Sequence, residues 1–179
     1  PEGWSASKFN QHSLAVGIMA DLVAQRAGVP YPEGAFVGGL LHDLGKLLIA
    51  TGAPVGFGSV LRMLKEGGAN ELDCEMEALG TTHAELSGMA LARWNLPLPI
   101  RQSAMFHHDP DRADDGALHL SHVLYAADRL ANELGNSIGP YFDQSERTDS
   151  IFDALGVAGE VPSILQEFEA EFNSVKGYF

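Results

Sequence analysis

The sequence predicts an all-α fold. Three observations carry that expectation. Apolar residues recur at three- and four-residue spacing along most of the chain. Capping residues, prolines and glycines cut the pattern into segments of helix length. No period-two run flanked by turn dipeptides interrupts it, so helix packed on helix is the architecture the pattern supports. The 179 residues, 45% of them hydrophobic, are enough to bury a sizeable core.

Taken in order, Leu14, Ile18 and Leu22 with Ala15, Met19 and Val23 mark one face of a first helix, Ser5 to about Ala27. Gly28-Val29-Pro30 stops it. Pro32 opens a second helix that is expected to run to about Ala50. It is apolar nearly all round, which makes it the candidate for the most buried helix. Gly38 and Gly39 inside it cost roughly 1 kcal/mol each in propensity, so a neighbouring helix is expected to approach closely there. Thr51–Gly58 reads as a loop rich in Gly and Pro. Helical pattern returns at about Ser59–Glu66, breaks at Gly67-Gly68, and resumes at about Leu72–Leu79. Thr82-His83-Ala84-Glu85 has the form of a capping box and starts a helix reaching Trp94. Pro97 and Pro99 precede a short helix that ends at His107-His108, and Asp109–Gly116 is an acidic loop. A long helix spans about Ala117–Leu134. Gly135–Asp149 is polar and irregular, and helices at about Asp149–Leu155 and Pro162–Val175 close the chain. Residues 1–135 are expected to form the core and 136–179 a helical extension packed on it.

Charge narrows the partners. Eleven Lys and Arg face 24 Asp and Glu, a formal charge of −13. Such a chain repels phosphate backbones and anionic lipid, which disfavours general nucleic-acid binding and membrane binding. A local cation or metal can still hold a small anion. The single cysteine, Cys74, cannot form an internal disulfide, and no apolar run approaches the roughly 18 residues that span a bilayer. The expected location is cytoplasmic. The first residue is Pro1, so an upstream portion is expected.

Five of the seven histidines fall in a pattern with two aspartates. His42 and Asp43 lie in the apolar second helix, where a polar group is costly unless paired or bound to metal. Adjacent positions can flank one ion from the same turn. Lys46 follows His42 by four residues and projects on the same face, placed to balance Asp43 or to meet a substrate anion. His12 sits on the stripe of Ala15, Val16 and Met19. His83 opens a helix, His107-His108 closes one, and Asp128 stands among Leu124, Tyr125, Ala127 and Ala131. Imidazoles with a few carboxylates suit first-row divalent metals, one or two ions of Fe, Mn, Ni, Co or Zn. Two carboxylate-bridged metals polarise a phosphoryl oxygen and supply a hydroxide nucleophile near neutral pH.

Each residue alone has an ordinary explanation. A His-Asp pair arises by chance in a chain this rich in both. His83 could be a surface residue of a first turn, the His pair a helix end favoured by the dipole, and Asp128 a partner of Arg129. Together, several polar groups at apolar positions are hard to explain separately. His119 and His122 lack that context and read as surface or loosely packed residues outside the site.

The order His12, His42-Asp43, Asp128 resembles the HD superfamily, an all-α helical bundle named for its metal-binding pair. His83 and His107-His108 match the additional ligands of the HD-GYP branch. The wording of Gln11-His12-Ser13, Gly39-Leu-Leu-His-Asp-Leu-Gly-Lys-Leu47, Glu77–Gly88 with its Leu-Gly-Thr-Thr-His, Trp94-Asn-Leu-Pro97 and Phe106-His-His-Asp-Pro110 is similar to the HDOD branch of bacterial signalling domains. The resemblance covers about residues 4–135. It implies that His12, His42, Asp43 and Asp128 match a first metal site. Asp43 matches the bridging ligand, and His83, His107 and His108 a second site. Lys46 matches the lysine that approaches the scissile phosphate in HD-GYP enzymes.

Three departures qualify the resemblance. The Gly-Tyr-Pro segment is missing, which argues against cyclic di-GMP hydrolysis. Lys8 stands where some relatives have a glutamate for a third metal. Many HDOD members have lost ligands, whereas this chain keeps the full set. The resemblance also implies a further N-terminal helical portion and an upstream sensory or receiver domain. Three readings stay open from sequence. One is a dinuclear phosphohydrolase or phosphodiesterase acting on a phosphate-containing small molecule or cyclic nucleotide, with Asp43 and Lys46 as catalytic residues. Another is a regulatory module whose metal is structural or sensory and whose output passes to signalling proteins. The last is a helical scaffold without metal.

Overall fold

A computed structural model describes residues 1–67, 70–113, 117–139 and 149–178. Among them there is no strand, and the all-α expectation holds. The α-helices are α1 (Ala6–Ala24), α2 (Ala35–Leu41), α3 (Leu44–Gly52), α4 (Pro54–Lys65), α5 (Glu71–Leu79), α6 (His83–Arg93), α7 (Leu98–Met105), α8 (Leu120–Glu133), α9 (Asp149–Ala154) and α10 (Val161–Val175). The sequence expectations for Gly68, for the end of the acidic loop at 114–116 and for most of the irregular region, 140–148, lie outside the described residues.

Helix α1 is the centre of the molecule, packed by α2, α8 and α10. Ser5 caps it, its hydroxyl accepting from the Lys8 amide at 3.3 Å. Such a cap contributes about 1 kcal/mol, whereas each fully buried Val or Met contributes about 1.5–3 kcal/mol. Val16, Met19 and Val23 are all 0% exposed, so packing holds α1 in place far more than its cap does. Leu124 and Ala127 of α8, Phe152 of α9 and Ile164 and Phe168 of α10 complete this core. A smaller core joins Leu44, Leu91, Ile100 and Ala104 between α3, α6 and α7.

The segment expected as one most-buried helix, Pro32 to Ala50, departs from that reading twice. Phe36, Val37, Leu40 and Leu48 keep 37–38% of their surface exposed, and α1 takes the central place instead. All-round apolarity did not identify the buried helix, because α2 and α3 bury only the faces their neighbours reach. The segment also breaks at His42-Asp43, where Asp43 adopts φ −97°, ψ 14°. The Gly45 amide there donates to the Ser87 hydroxyl on α6 at 2.8 Å, a tertiary bond that replaces one rung of a helical ladder. The expected close approach is found at Gly39, where a Cβ would lie 2.7 Å from the Val16 carbonyl oxygen.

The expected loop Thr51–Gly58 is a second correction. α3 runs through Gly52 and α4 begins at Pro54, leaving Ala53 as the joint. Proline at a first helical position starts a helix as readily as it ends one, and Gly56 packs against Leu79 rather than marking a turn. The Thr82–Glu85 capping box is present in both directions.

Candidate metal centre

The cluster lies between the two cores, and five parts of the chain build it. α1 brings His12 and the α2–α3 break brings His42 and Asp43. The first residue of α6 is His83, the turn after α7 carries His107 and His108, and α8 supplies Asp128. His42 and His83 are 0% exposed, Asp43 and His107 1%, His12 2%. The structure thus brings together all seven residues singled out by sequence. The donor atoms form two sets, each with its members within 4.8 Å of one another. One set is His12, His42 and Asp128, the other Asp43, His83, His107 and His108.

Asp43 faces both sets. Its Oδ2 lies 3.4 Å from His12 Nε2 and 3.5 Å from His42 Nε2, and its Oδ1 lies 3.2 Å from His83 Nε2 and 3.6 Å from His107 Nε2. Asp128 Oδ1 closes the first set at 3.3 Å from His12 and 3.7 Å from His42. Lys46 Nζ sits 3.1 Å from Asp43 Oδ2 and equally 3.1 Å from Glu71 Oε2.

The imidazole rings are oriented from behind. Carbonyl oxygens only accept, so the Nδ1–H groups of His12, His42 and His107 donate to the carbonyls of Asn136, Gly39 and Ala104 at 2.7, 2.7 and 2.8 Å. Their Nε2 atoms then point lone pairs inward, the usual arrangement of metal-ligating histidine. His12 and His42 face each other at 3.3 Å, His83 and His108 at 2.8 Å, nitrogen to nitrogen. Two lone pairs hold such a spacing only with a proton or a cation between them. Asp43 Oδ1 and His107 Nε2 are fully buried and make no hydrogen bond among the described residues. A buried carboxylate oxygen and an imidazole nitrogen that make no hydrogen bond among the described residues and face one another at 3.6 Å fit a metal ion, so the cluster has the chemistry to hold one.

With no ion bound, the charges in the cluster favour a proton on some rings and oppose one on others. Burial alone would lower the His12 pKa, but its hydrogen bonds to Asp128 and Asp43 and the charge of both raise it to about 9. Burial and the Lys46 charge likewise press His83 down, and Glu75 and Asp43 override them, so its pKa rises. Burial and the charges of His107 and His83 hold His108 well below its ordinary value. Burial disfavours the Asp43 and Asp128 carboxylates, yet the surrounding imidazoles, joined at Asp43 by Lys46, keep both well below the usual carboxylate range. A metal must displace the His12 proton, and that displacement costs more the further the pH lies below about 9. Metal affinity is therefore expected to be higher at pH 8 than at pH 6, by calorimetric titration of metal-free protein. Equal affinities would remove His12 from the ligand set.

Sequence reasoning missed the residues that support the ligands. Glu75 on α5 is 3% exposed, its carboxylate accepting from the His83 amide at 2.8 Å and from His83 Nδ1 at 2.8 and 2.9 Å. The only available signal was an acid among Cys74, Met76 and the His83 helix start, weak in a stretch of four acids. Ser87 accepts from Gly45 and donates to the His83 carbonyl at 2.9 Å. Asn132, one turn beyond Asp128, donates to Asp128 Oδ1 at 2.8 Å. Supporting residues of this kind typically control 10–100-fold of metal affinity. Glu75→Gln is expected to weaken metal binding by roughly that factor, measured by chelator competition. His122 is corrected here. It is 6% exposed rather than on the surface, and its Nδ1 accepts from the His119 amide at 3.1 Å as the cap of α8. Neither His119 nor His122 belongs to the two donor sets.

Comparison with known proteins follows the same lines. A search of curated proteins finds no match. An HDOD domain protein from Geobacter sulfurreducens has a TM-score of 0.69 at 22% identity, over 93% of this chain and 62% of its own. A candidate phosphohydrolase from Shewanella amazonensis gives 0.73 at 24% identity, over 94% and 61%. The MmoQ response regulator of Methylococcus capsulatus gives 0.64 at 24%, over 87% and 58%. The chain thus spans 58% to 62% of the length of these three structures, and at such identities the likeness fixes the fold. Among the described residues no single helix is long and apolar enough to cross a membrane. The HDOD domain family model matches residues 1–110, more than half of the sequence and all of the ligand segments except Asp128, and the chain belongs to the HDOD family.

Proposed function

We propose that this HDOD domain binds two divalent transition-metal ions and hydrolyses a phosphate ester. His12, His42, Asp128 and Asp43 Oδ2 would hold one ion, and His83, His107, His108 and Asp43 Oδ1 the other. The observation that carries the reading is the placement of Asp43, one carboxylate oxygen toward each donor set. When bound, such ions polarise phosphoryl oxygens and lower the pKa of water. The chain's own residues supply the rest. The surrounding carbonyls and Glu75 fix the rings, and burial keeps bulk water from competing for the donors. Lys46 Nζ, 17% exposed beside Asp43, presents an ammonium to the phosphoryl oxygens as charge builds there. Hydrolysis joins the oxygen of water to phosphorus and breaks the ester P–O bond, and the departing oxygen leaves with a proton.

A regulatory module with a structural metal is the second reading. Its support is Lys46, whose ammonium already meets two carboxylates, Asp43 and Glu71, together with the likeness to a response regulator. Output would then pass to signalling proteins or to a sensory domain upstream. One variant separates the two. Lys46→Met is expected to keep its metal and to lose about 100-fold in turnover of phosphate esters by the Mn- or Fe-loaded protein. If the wild-type protein turns over no phosphate mono- or diester, while a chelator lowers its melting temperature sharply, the regulatory reading stands instead.

A further inference from the structure

The metal cluster accounts for only one side of the pocket beside it. A cavity of about 120 Å³ opens there. His12, Lys46, Glu71, His108 and Asp128 line its polar side, and Trp4, Ile49, Phe57, Leu61 and Leu64 line the other. Trp4 comes from the segment ahead of α1. Its ring lies 5.3 Å from that of Phe9 and meets Phe57 edge-on at 6.0 Å and 82°. α4 supplies Phe57, Leu61 and Leu64. Trp4, Phe57, Leu61 and Leu64 are half-buried and face the pocket instead of being sealed inside the core. A site for a hydrated ion or free phosphate has no use for such a wall, whereas small-molecule sites pair one with a few polar groups.

Size and charge narrow the ligand further. The cavity is below the several hundred Å³ typical of sites for drug-sized molecules, so it suits a compact organic group. Among the described residues, Lys46 is the lysine on the polar side, and its ammonium already meets Asp43 and Glu71, so beyond the bound ions the pocket adds little positive charge for a second phosphate. We propose that this pocket takes a phosphate monoester of a compact apolar or aromatic alcohol. The phosphate lies on the Lys46 side and the organic group against Trp4, Phe57 and Leu61. Water cleaves it to the free alcohol and inorganic phosphate. The assignment rests on the phosphate-ester reading above and names its substrate class.

The test is equilibrium binding by calorimetry to the metal-loaded protein, with two non-hydrolysable probes, phenylphosphonate and methylphosphonate. Phenylphosphonate is expected to bind at least about tenfold more tightly. Trp4→Ala is expected to reduce that ratio to near one with methylphosphonate affinity unchanged. Equal affinities of the two probes for the wild-type protein overturn the substrate class and leave the phosphate reading intact. Loss of both affinities together in the variant, with its metal and melting temperature retained, also overturns it. If neither probe binds the metal-loaded protein, the phosphate reading falls and this assignment falls with it.

Discussion

If the cluster holds metal as proposed, Asp43→Asn is expected to abolish stoichiometric metal binding, the largest effect expected of any single substitution in this chain. The asparagine keeps the shape and loses the charge. It also turns an NH₂ group toward imidazole nitrogens whose lone pairs already face inward. Asp43 Oδ2 lies 3.4 Å from His12 Nε2 and Oδ1 3.2 Å from His83 Nε2, so one carboxylate serves both donor sets. Removing a ligand costs more than removing its support, so affinity should fall by well over about 100-fold. Elemental analysis after dialysis reads the stoichiometry directly. His12→Ala should lose one ion and keep the other, His83→Ala should do the same for the second set, and Asp43→Asn should lose both. A normal metal content in Asp43→Asn would show that the carboxylate is not a ligand and would remove the basis for a bridged pair.

Gly45→Ala destabilises the fold and the site together. A Cβ there would overlap the backbone carbonyl of His83. That carbonyl cannot easily retreat, because it accepts from the Ser87 hydroxyl at 2.9 Å, which itself accepts from the Gly45 amide at 2.8 Å. α3 and α6 must separate, and His83 moves with α6. Overpacking against backbone belongs at the upper end of its usual range, about 3 kcal/mol. For a domain of this size that corresponds to a melting temperature lower by roughly 10 °C. Metal affinity should fall as well, because the ring that Glu75 holds in place is displaced. Gly52→Ala is the control. Its Cβ meets nothing within 4 Å, so its melting temperature should stay near that of the wild type. A Gly45→Ala variant as stable as the control would show that the α3–α6 contact tolerates separation.

The sequence reported some features of the site more clearly than others. His12 and Asp128 were visible because a titratable group on an apolar helical stripe conflicts with its surroundings. The capped start at Thr82 located His83 to the residue, because a capping box is a local hydrogen-bond pattern. Glu75 and Asn132 were not visible, although one orients His83 and the other holds Asp128. An acid in an acidic stretch and an asparagine near a helix end look solvated until their partners are known. His122 read as surface or loosely packed for the same reason. The break at Asp43 was not visible, because the bond from Gly45 to Ser87 that accompanies it joins another helix.

The sequence by itself determined the helical class, most helix starts and stops, and the seven side chains that meet in one cluster. These follow from local spacing, capping and the cost of burying a polar group, each readable within a few residues of chain. Only the tertiary structure decided which helix is central, where the second helix breaks, how Asp43 divides its two oxygens, and that an apolar wall stands opposite the donors. Those outcomes depend on contacts between positions far apart in sequence, such as His12 with the Asn136 carbonyl 124 residues away. No local pattern encodes such a contact, because its energy exists only once the packed core has brought both partners together.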